Sequence, residues 1–215
     1  QPVSVRMLGF VSKETEETIP AVLYKAVDHA ANFGAPGHEG FDARGADPSK
    51  GPVWTPLDEL NRFVSQASDH DFLDPKEGIG RRLDLANAID FHLLVLLTSN
   101  VDGITKNYYL ARRAATPQEP SPRFCFVPWD YDATFGQSWD GSPLGAKEWL
   151  SNRLFDRLWA DPAIQAAILR RWRELRQGPF RAEQIAAMID ARSESTRLNS
   201  SHANISYAVF CLKKK

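Results

Sequence analysis

The sequence predicts an α+β fold in which short β-hairpins are set into a mostly helical body. Three observations predict it: alternating, β-branched segments that come in pairs, one helical segment apolar almost all round, and a long C-terminal stretch with helical periodicity. The pairs open the chain. Val3–Ser12 and Ala21–Val27 both alternate and are separated by a polar turn region, which predicts a first hairpin. From His29 to Pro56 the density of Gly and Pro predicts a long irregular excursion. Thr55 and Pro56 then open a helix, with Asp58 and Glu59 in its first turn and Leu57, Leu60, Phe63 and Val64 on its apolar face, ending near Ser68.

Asp84 is placed to cap a longer helix that runs to about Ser99, in which Leu85, Ala88, Ile89, His92, Leu93, Val95 and Leu96 leave little polar surface. Such a helix must lie deep in the domain, and His92 on it reads as a core histidine with one hydrogen-bond partner. A strand over Asn107–Arg112, a proline-rich turn over Thr116–Pro122 and a strand over Arg123–Trp129 follow as a second hairpin. Helices are predicted over Lys147–Asp161, over Ala163–Gln177 behind Pro162, and from about Ala182, with Trp149, Trp159 and Trp172 as packing residues.

The last segment reads differently. Back-translated, Arg192–Lys215 follows a common sequencing-library adapter, with a one-base slip after Glu194 and a homopolymer that ends in lysines. It is therefore expected to be a non-native tail, and residues 1–191 to be one partial domain cut at both ends. Without the tail, Lys plus Arg falls from 26 to 21 and Asp plus Glu from 27 to 26, a net charge of −5 that gives no basis for nucleic-acid binding. The whole chain, 43% hydrophobic and 25% charged, is in the globular range. Cys211 belongs to the tail, so Cys125 stands alone in an apolar strand pattern and reads as a buried, unpaired thiol. The longest apolar run, Ile89–Leu97, is interrupted by Asp90 and His92 and falls short of the roughly 20 residues of a membrane span.

Chemistry concentrates in two places: Asp102 and Asn107 within SNVDGITKNYYL, and Asp130 and Asp132 within FVPWDYDATFG. Nucleotide-dependent phosphoryl transfer needs one carboxylate to orient an acceptor hydroxyl and hard oxygen ligands to hold Mg²⁺ against phosphates. A buried helix, a D-x-x-x-x-N loop, a short hairpin and an Asp where the second strand ends supply these groups in protein kinases. The same order occurs here. Taken singly each element is weak, because Asp102 also reads as an Asx-turn at the helix exit and the later acids as a solvated turn. Trp129, Tyr131 and Phe135 around those acids raise the cost of an unpaired carboxylate and favour a metal. His29, His38 and His70 show no metal-ligand spacing.

Together the two segments resemble the CotH kinase family, the spore-coat-type atypical protein kinases. Asn100, Asp102, Lys106, Asn107, Tyr109 and Leu110 match its N-x-D-x-x-x-K-N-x-Y-L pattern, and Pro128, Trp129, Asp130, Asp132, Thr134, Phe135 and Gly136 match P-W-D-x-D-x-T-F-G. The L-Y-K of Leu23–Lys25 fits as well. The resemblance implies an atypical kinase-like fold, represented mainly by its helical C-terminal lobe, with the nucleotide-covering part lying upstream of this sequence. It implies Asp102 as catalytic base, Asn107 and Asp130 as Mg²⁺ ligands with Asp132 as a further one, and Lys106 with Asn107 and Asp130 against ATP. The expected cofactors are ATP and Mg²⁺, with Mn²⁺ as a substitute, and the expected partners are the nucleotide and a protein substrate. The resemblance also suggests the cell envelope or a secreted location. Two other readings stay open: a metal-dependent phosphoester hydrolase using the same acids, and a non-catalytic kinase-fold scaffold at the envelope or spore coat.

Overall fold

The computed structural model describes residues 20–44, 51–138, 140–143 and 149–202, with side chains of the last helix up to Arg192. Among the described residues four strands form one antiparallel sheet in the order β2-β1-β3-β4: β1 Val22–Ala26, β2 Phe41–Arg44, β3 Tyr108–Arg112 and β4 Phe124–Pro128. Helices α1 Thr55–Gln66, α2 Asp69–Phe72, α3 Ile79–Arg82, α4 Leu85–Thr98, α5 Arg153–Ala160, α6 Pro162–Gln177 and α7 Ala182–His202 complete the α+β fold. Two compact units divide at Ala166 and Ala167.

In the first unit, alternation sorts the strands. Val22, Tyr24, Ala26, Tyr108, Leu110, Phe124 and Phe126 point to the main core, whereas Leu23, Tyr109, Ala111, Cys125 and Val127 form a smaller cluster on the other face. The main core is aromatic at its centre: Phe91 of α4 stacks on Phe126 with centroids 4.5 Å apart and meets Tyr108 at 5.7 Å. α4 is buried through Ala88, Phe91, His92, Leu93 and Val95, while Leu85, Ile89 and Leu96, expected in the core with them, are half-buried. Its Asp84 cap accepts from the Ala86 and Asn87 amides, and Ser99 ends it in a left-handed conformation. α1 starts at the predicted Thr-Pro and buries Leu57, Leu60 and Val64. Its C-terminal carbonyls are held by Arg157 of α5, whose buried guanidinium donates to Val64 O at 2.7 Å, Ala67 O at 2.8 Å and Ser68 O at 3.0 Å.

Three expectations are corrected. The excursion after His29 contains β2, a strand with Asp42 and Arg44 among its four residues that is fixed by pairing with β1 rather than by its own composition. The helix expected from Lys147 starts at Arg153, because Asn152 stops it: its Oδ1 caps the Leu154 and Phe155 amides while its Nδ2 donates to Ile104 O at 2.7 Å. Trp149 consequently precedes the helix and is 59% exposed, although its ring meets Trp159 edge-on at 5.0 Å. Val3–Ser12, expected to pair with β1, lies outside the described residues, as do Lys147 and Glu148.

The second unit contains the rest of α6 and α7. α6 ends at a turn in which the Gly178 and Phe180 amides both return to Leu175 O, and Phe180 packs edge-on against Trp172 at 6.2 Å. α7 begins at the predicted Ala182 and continues through position 191.

Candidate active site

Antiparallel pairing gathers the predicted residues at one end of the sheet. Ala26, the last residue of β1, lies opposite Tyr108, the first of β3, and Tyr108 lies opposite Pro128, the last of β4. Asn107 therefore stands between the end of β1 and the end of β4. Its amide donates to Ala26 O at 3.0 Å and its carbonyl accepts from Trp129 N at 3.2 Å. Asp130 follows immediately. Both residues have left-handed backbones, φ 59° at Asn107 and 61° at Asp130, a conformation that Asn and Asp tolerate better than other side chains.

Asp102 reaches the same end through a 3-10 turn, Asp102–Ile104, that starts just after α4. The turn is built by Asn100, which is 1% exposed and accepts the Gly103 amide at 2.9 Å. A Cβ at Gly103 would lie 2.6 Å from Asn100 Nδ2, so glycine is required for the turn to fold over that amide. Asn152 ties the turn's far end to α5 through Ile104 O. Lys106 closes the loop: its amide donates to Asp102 O at 2.8 Å, and its ammonium lies 3.2 Å from Asp102 Oδ2. Both side chains remain about one-third exposed, 27% and 30%.

The segment after β4 returns to α4, where Phe135 N donates to Thr98 O at 2.5 Å. Tyr131 beneath it is largely desolvated, and burial pushes its phenol up to about 12, opposed by the neighbouring Asn100 side chain. The Tyr131 hydroxyl and Asn100 Nδ2 have no aligned hydrogen-bond partner, so Asn100 acts on the phenol as a nearby dipole. Asp132 is exposed and accepts its neighbour's amide, Ala133 N, at 2.9 Å, while Asp130 is exposed and forms no hydrogen bond or ion pair with the described residues.

Asp102, Lys106, Asn107 and Asp130 lie on the two chain segments that enter β3 and leave β4 at this end of the sheet, with Asp132 two residues further along an exposed loop. His29 also belongs there. Its Nδ1 is 2.7 Å from Thr105 Oγ1 and its Nε2 is 4.0 Å from Asp102 Oδ1. Nothing local in the sequence marks it, because only the β1–β3 register brings a residue just past β1 to a loop 76 positions away. His92 is absent from the site: it is a core residue as predicted, although with two partners rather than one, Leu150 O and Trp159 Nε1. Cys125 is unpaired and half-buried, and desolvation pushes its thiol above the usual range, which lowers the share of thiolate at neutral pH.

Among the described residues, no three His, Cys, Asp or Glu side chains gather as a metal cage, and no helix is long and apolar enough to cross a membrane. An Asn–Asp pair fits a hard cation that keeps water and phosphate oxygens in its remaining positions. No curated protein matches the chain. The family model for CotH kinase protein matches residues 11–205. That span covers most of the sequence and all of the sheet end just described, and the chain belongs to the CotH kinase family.

Proposed function

We propose that the protein is a kinase-like phosphotransferase that moves the γ-phosphoryl group of ATP to a hydroxyl side chain of a protein substrate, on an atypical kinase fold. The observation that supports this most is the pair of left-handed residues, Asn107 and Asp130, one on either side of the bond from Trp129 N to Asn107 O, with the Asp102–Lys106 ion pair in the loop that leads into β3. Left-handed backbone in a non-glycine residue costs on the order of 1 kcal/mol, and its clustering at one sheet end favours a ligand-holding role. Asn107 and Asp130 would hold Mg²⁺, or Mn²⁺ in its place, with Asp132 as a further oxygen donor. The cation would neutralise phosphate charge.

Asp102 orients the acceptor. Its Oδ2 is held by Lys106, which leaves Oδ1 to accept the hydroxyl proton as the acceptor oxygen forms its bond to phosphorus and the bond to the β-phosphate oxygen breaks. Lys106, at 3.2 Å from that carboxylate, would offset negative charge on the phosphoryl group.

The test uses the full-length protein and radiolabelled γ-phosphate. Asp130→Ala is expected to abolish Mg²⁺-dependent nucleotide binding in calorimetry. Asp102→Asn is expected to bind normally and to lower transfer by about 10²- to 10⁴-fold. Full transfer by both variants would overturn the proposal, and phosphate release without labelled protein would assign a hydrolase.

A further inference from the structure

A second polar site lies at the opposite end of the sheet. Arg112 is the last residue of β3, about 16 Å along the strand from Asn107, and it occupies the face whose preceding positions, Tyr108 and Leu110, are core. An apolar residue is expected in that register. The arginine instead borders a cavity of about 140 Å³ that it shares with Arg81 and Arg82 of α3, Ser121 before β4, Glu59 of α1 and the Phe124 ring. That volume is several times the roughly 30 Å³ share of one water in the liquid. Three guanidinium groups against one carboxylate leave the cavity with an excess of two positive charges.

Arg82 and Arg112 are half-buried and held in place, and Arg81 reaches the cavity from its exposed rim. Arg82 lies flat on Phe63, 3.7 Å from the ring centroid, and donates to the Glu77 carbonyl and to Gly78 O at 3.1 Å. Arg81 donates to Ser121 Oγ at 3.0 Å. Arg112 rests against Phe124 at 5.2 Å, and its Nε is buried with no hydrogen-bond partner. Among the described residues none of the three has a carboxylate within ion-pair distance, Glu59 included. The buried, unpartnered Nε of Arg112 beside the apolar walls is costly to leave unmatched, and an anion that also reaches Arg81 and Arg82 would complete it. Planar guanidinium groups present forks that match the oxygens of phosphate and carboxylate alike, and an excess of two positive charges favours the dianion of the two.

We propose that this cavity is a binding site for a phosphoryl dianion, either free phosphate or the phosphate monoester of a phosphorylated side chain. Its chemistry is separate from turnover at the Asp102 end and does not require it.

The test titrates the full-length protein with inorganic phosphate at an ionic strength matched by chloride, then with a phosphoserine peptide and its unphosphorylated twin. Phosphate or the phosphopeptide is expected to bind and to raise the melting temperature, while chloride and the twin do not. Tighter binding of the phosphopeptide than of phosphate assigns the monoester, and the reverse assigns the free ion. Arg112→Gln is expected to weaken binding by about tenfold or more, the effect of losing one charge-assisted contact. Arg81→Gln, an exposed position that folding tolerates, gives the same direction, and Arg62→Gln on the outer face of α1 has no effect. Equal behaviour of phosphate and chloride, or loss of binding in Lys106→Met but not in the cavity variants, would overturn the proposal.

Discussion

His92 is neutral because of how its two nitrogens are used. Nδ1 accepts the Trp159 indole N–H at 3.1 Å, so Nε2 carries the proton donated to Leu150 O at 2.8 Å. A second proton would set two donors against each other at Nδ1. Burial accordingly holds the imidazolium below the ordinary 6.5, opposed by the Leu150 carbonyl and Asp156. Above pH 6.5 the ring is neutral in both folded and unfolded chains, and its share of stability is complete. As pH falls from 6.5 through the depressed folded value, the unfolded chain takes up a proton that the folded chain refuses, and stability is lost. Urea melts between pH 7.5 and 5 should therefore show a steeper loss in the wild type than in His92→Gln, by up to about 1.4 kcal/mol per pH unit. Parallel slopes would contradict this account. His92 was legible as core because its neighbours on the helix are apolar, whereas His29 was not, because its partners are reached through strand register alone.

At the scale of the element, β4 is an edge strand whose outer edge is capped at Phe124 and Phe126. The outward N–H of Phe126 donates to Asn87 Oδ1 at 2.6 Å and its carbonyl accepts from Asn87 Nδ2 at 3.1 Å, so one side chain of α4 replaces a fifth strand. The Asp84 amide does the same for Phe124 O at 2.8 Å. Asn87→Ala would leave two backbone groups unsatisfied at a half-buried position, a loss of about 2–4 kcal/mol, measurable by urea melting and by faster exchange of the Phe126 amide. Asn87→Asp keeps the acceptor for the Phe126 N–H but sets a carboxylate oxygen against Phe126 O, so it should recover little of that loss. Helices α1, α4, α6 and α7 and strands β1, β3 and β4 were readable because their signals are local: caps, Thr-Pro starts and alternation. β2 was unreadable for the opposite reason, since Phe-Asp-Ala-Arg becomes a strand only when Leu23–Ala26 is beside it. The four-residue helices α2 and α3 are too short to show a period.

For the whole molecule, the described part of α7 has almost no buried side chain from Ala182 to Arg192. A protein ending after Ala191 is therefore expected to melt within about 0.5 kcal/mol of the complete chain, as surface changes do, in scanning calorimetry. A clearly lower midpoint would give residues 192–215 a structural part. The candidate site was largely legible because Asp102, Lys106 and Asn107 are neighbours in sequence and Asp130 is joined to them by one hairpin. That hairpin also settles what can vary. Asn107 and Asp130 sit at its open end, and the Thr116–Pro122 turn closes the other. Residues can be added to or removed from that turn without resetting the gap between the two, much as lengthening a pair of tongs at the handle leaves the jaws in register. Relatives should therefore differ freely in the count of residues between these positions while keeping the same grip.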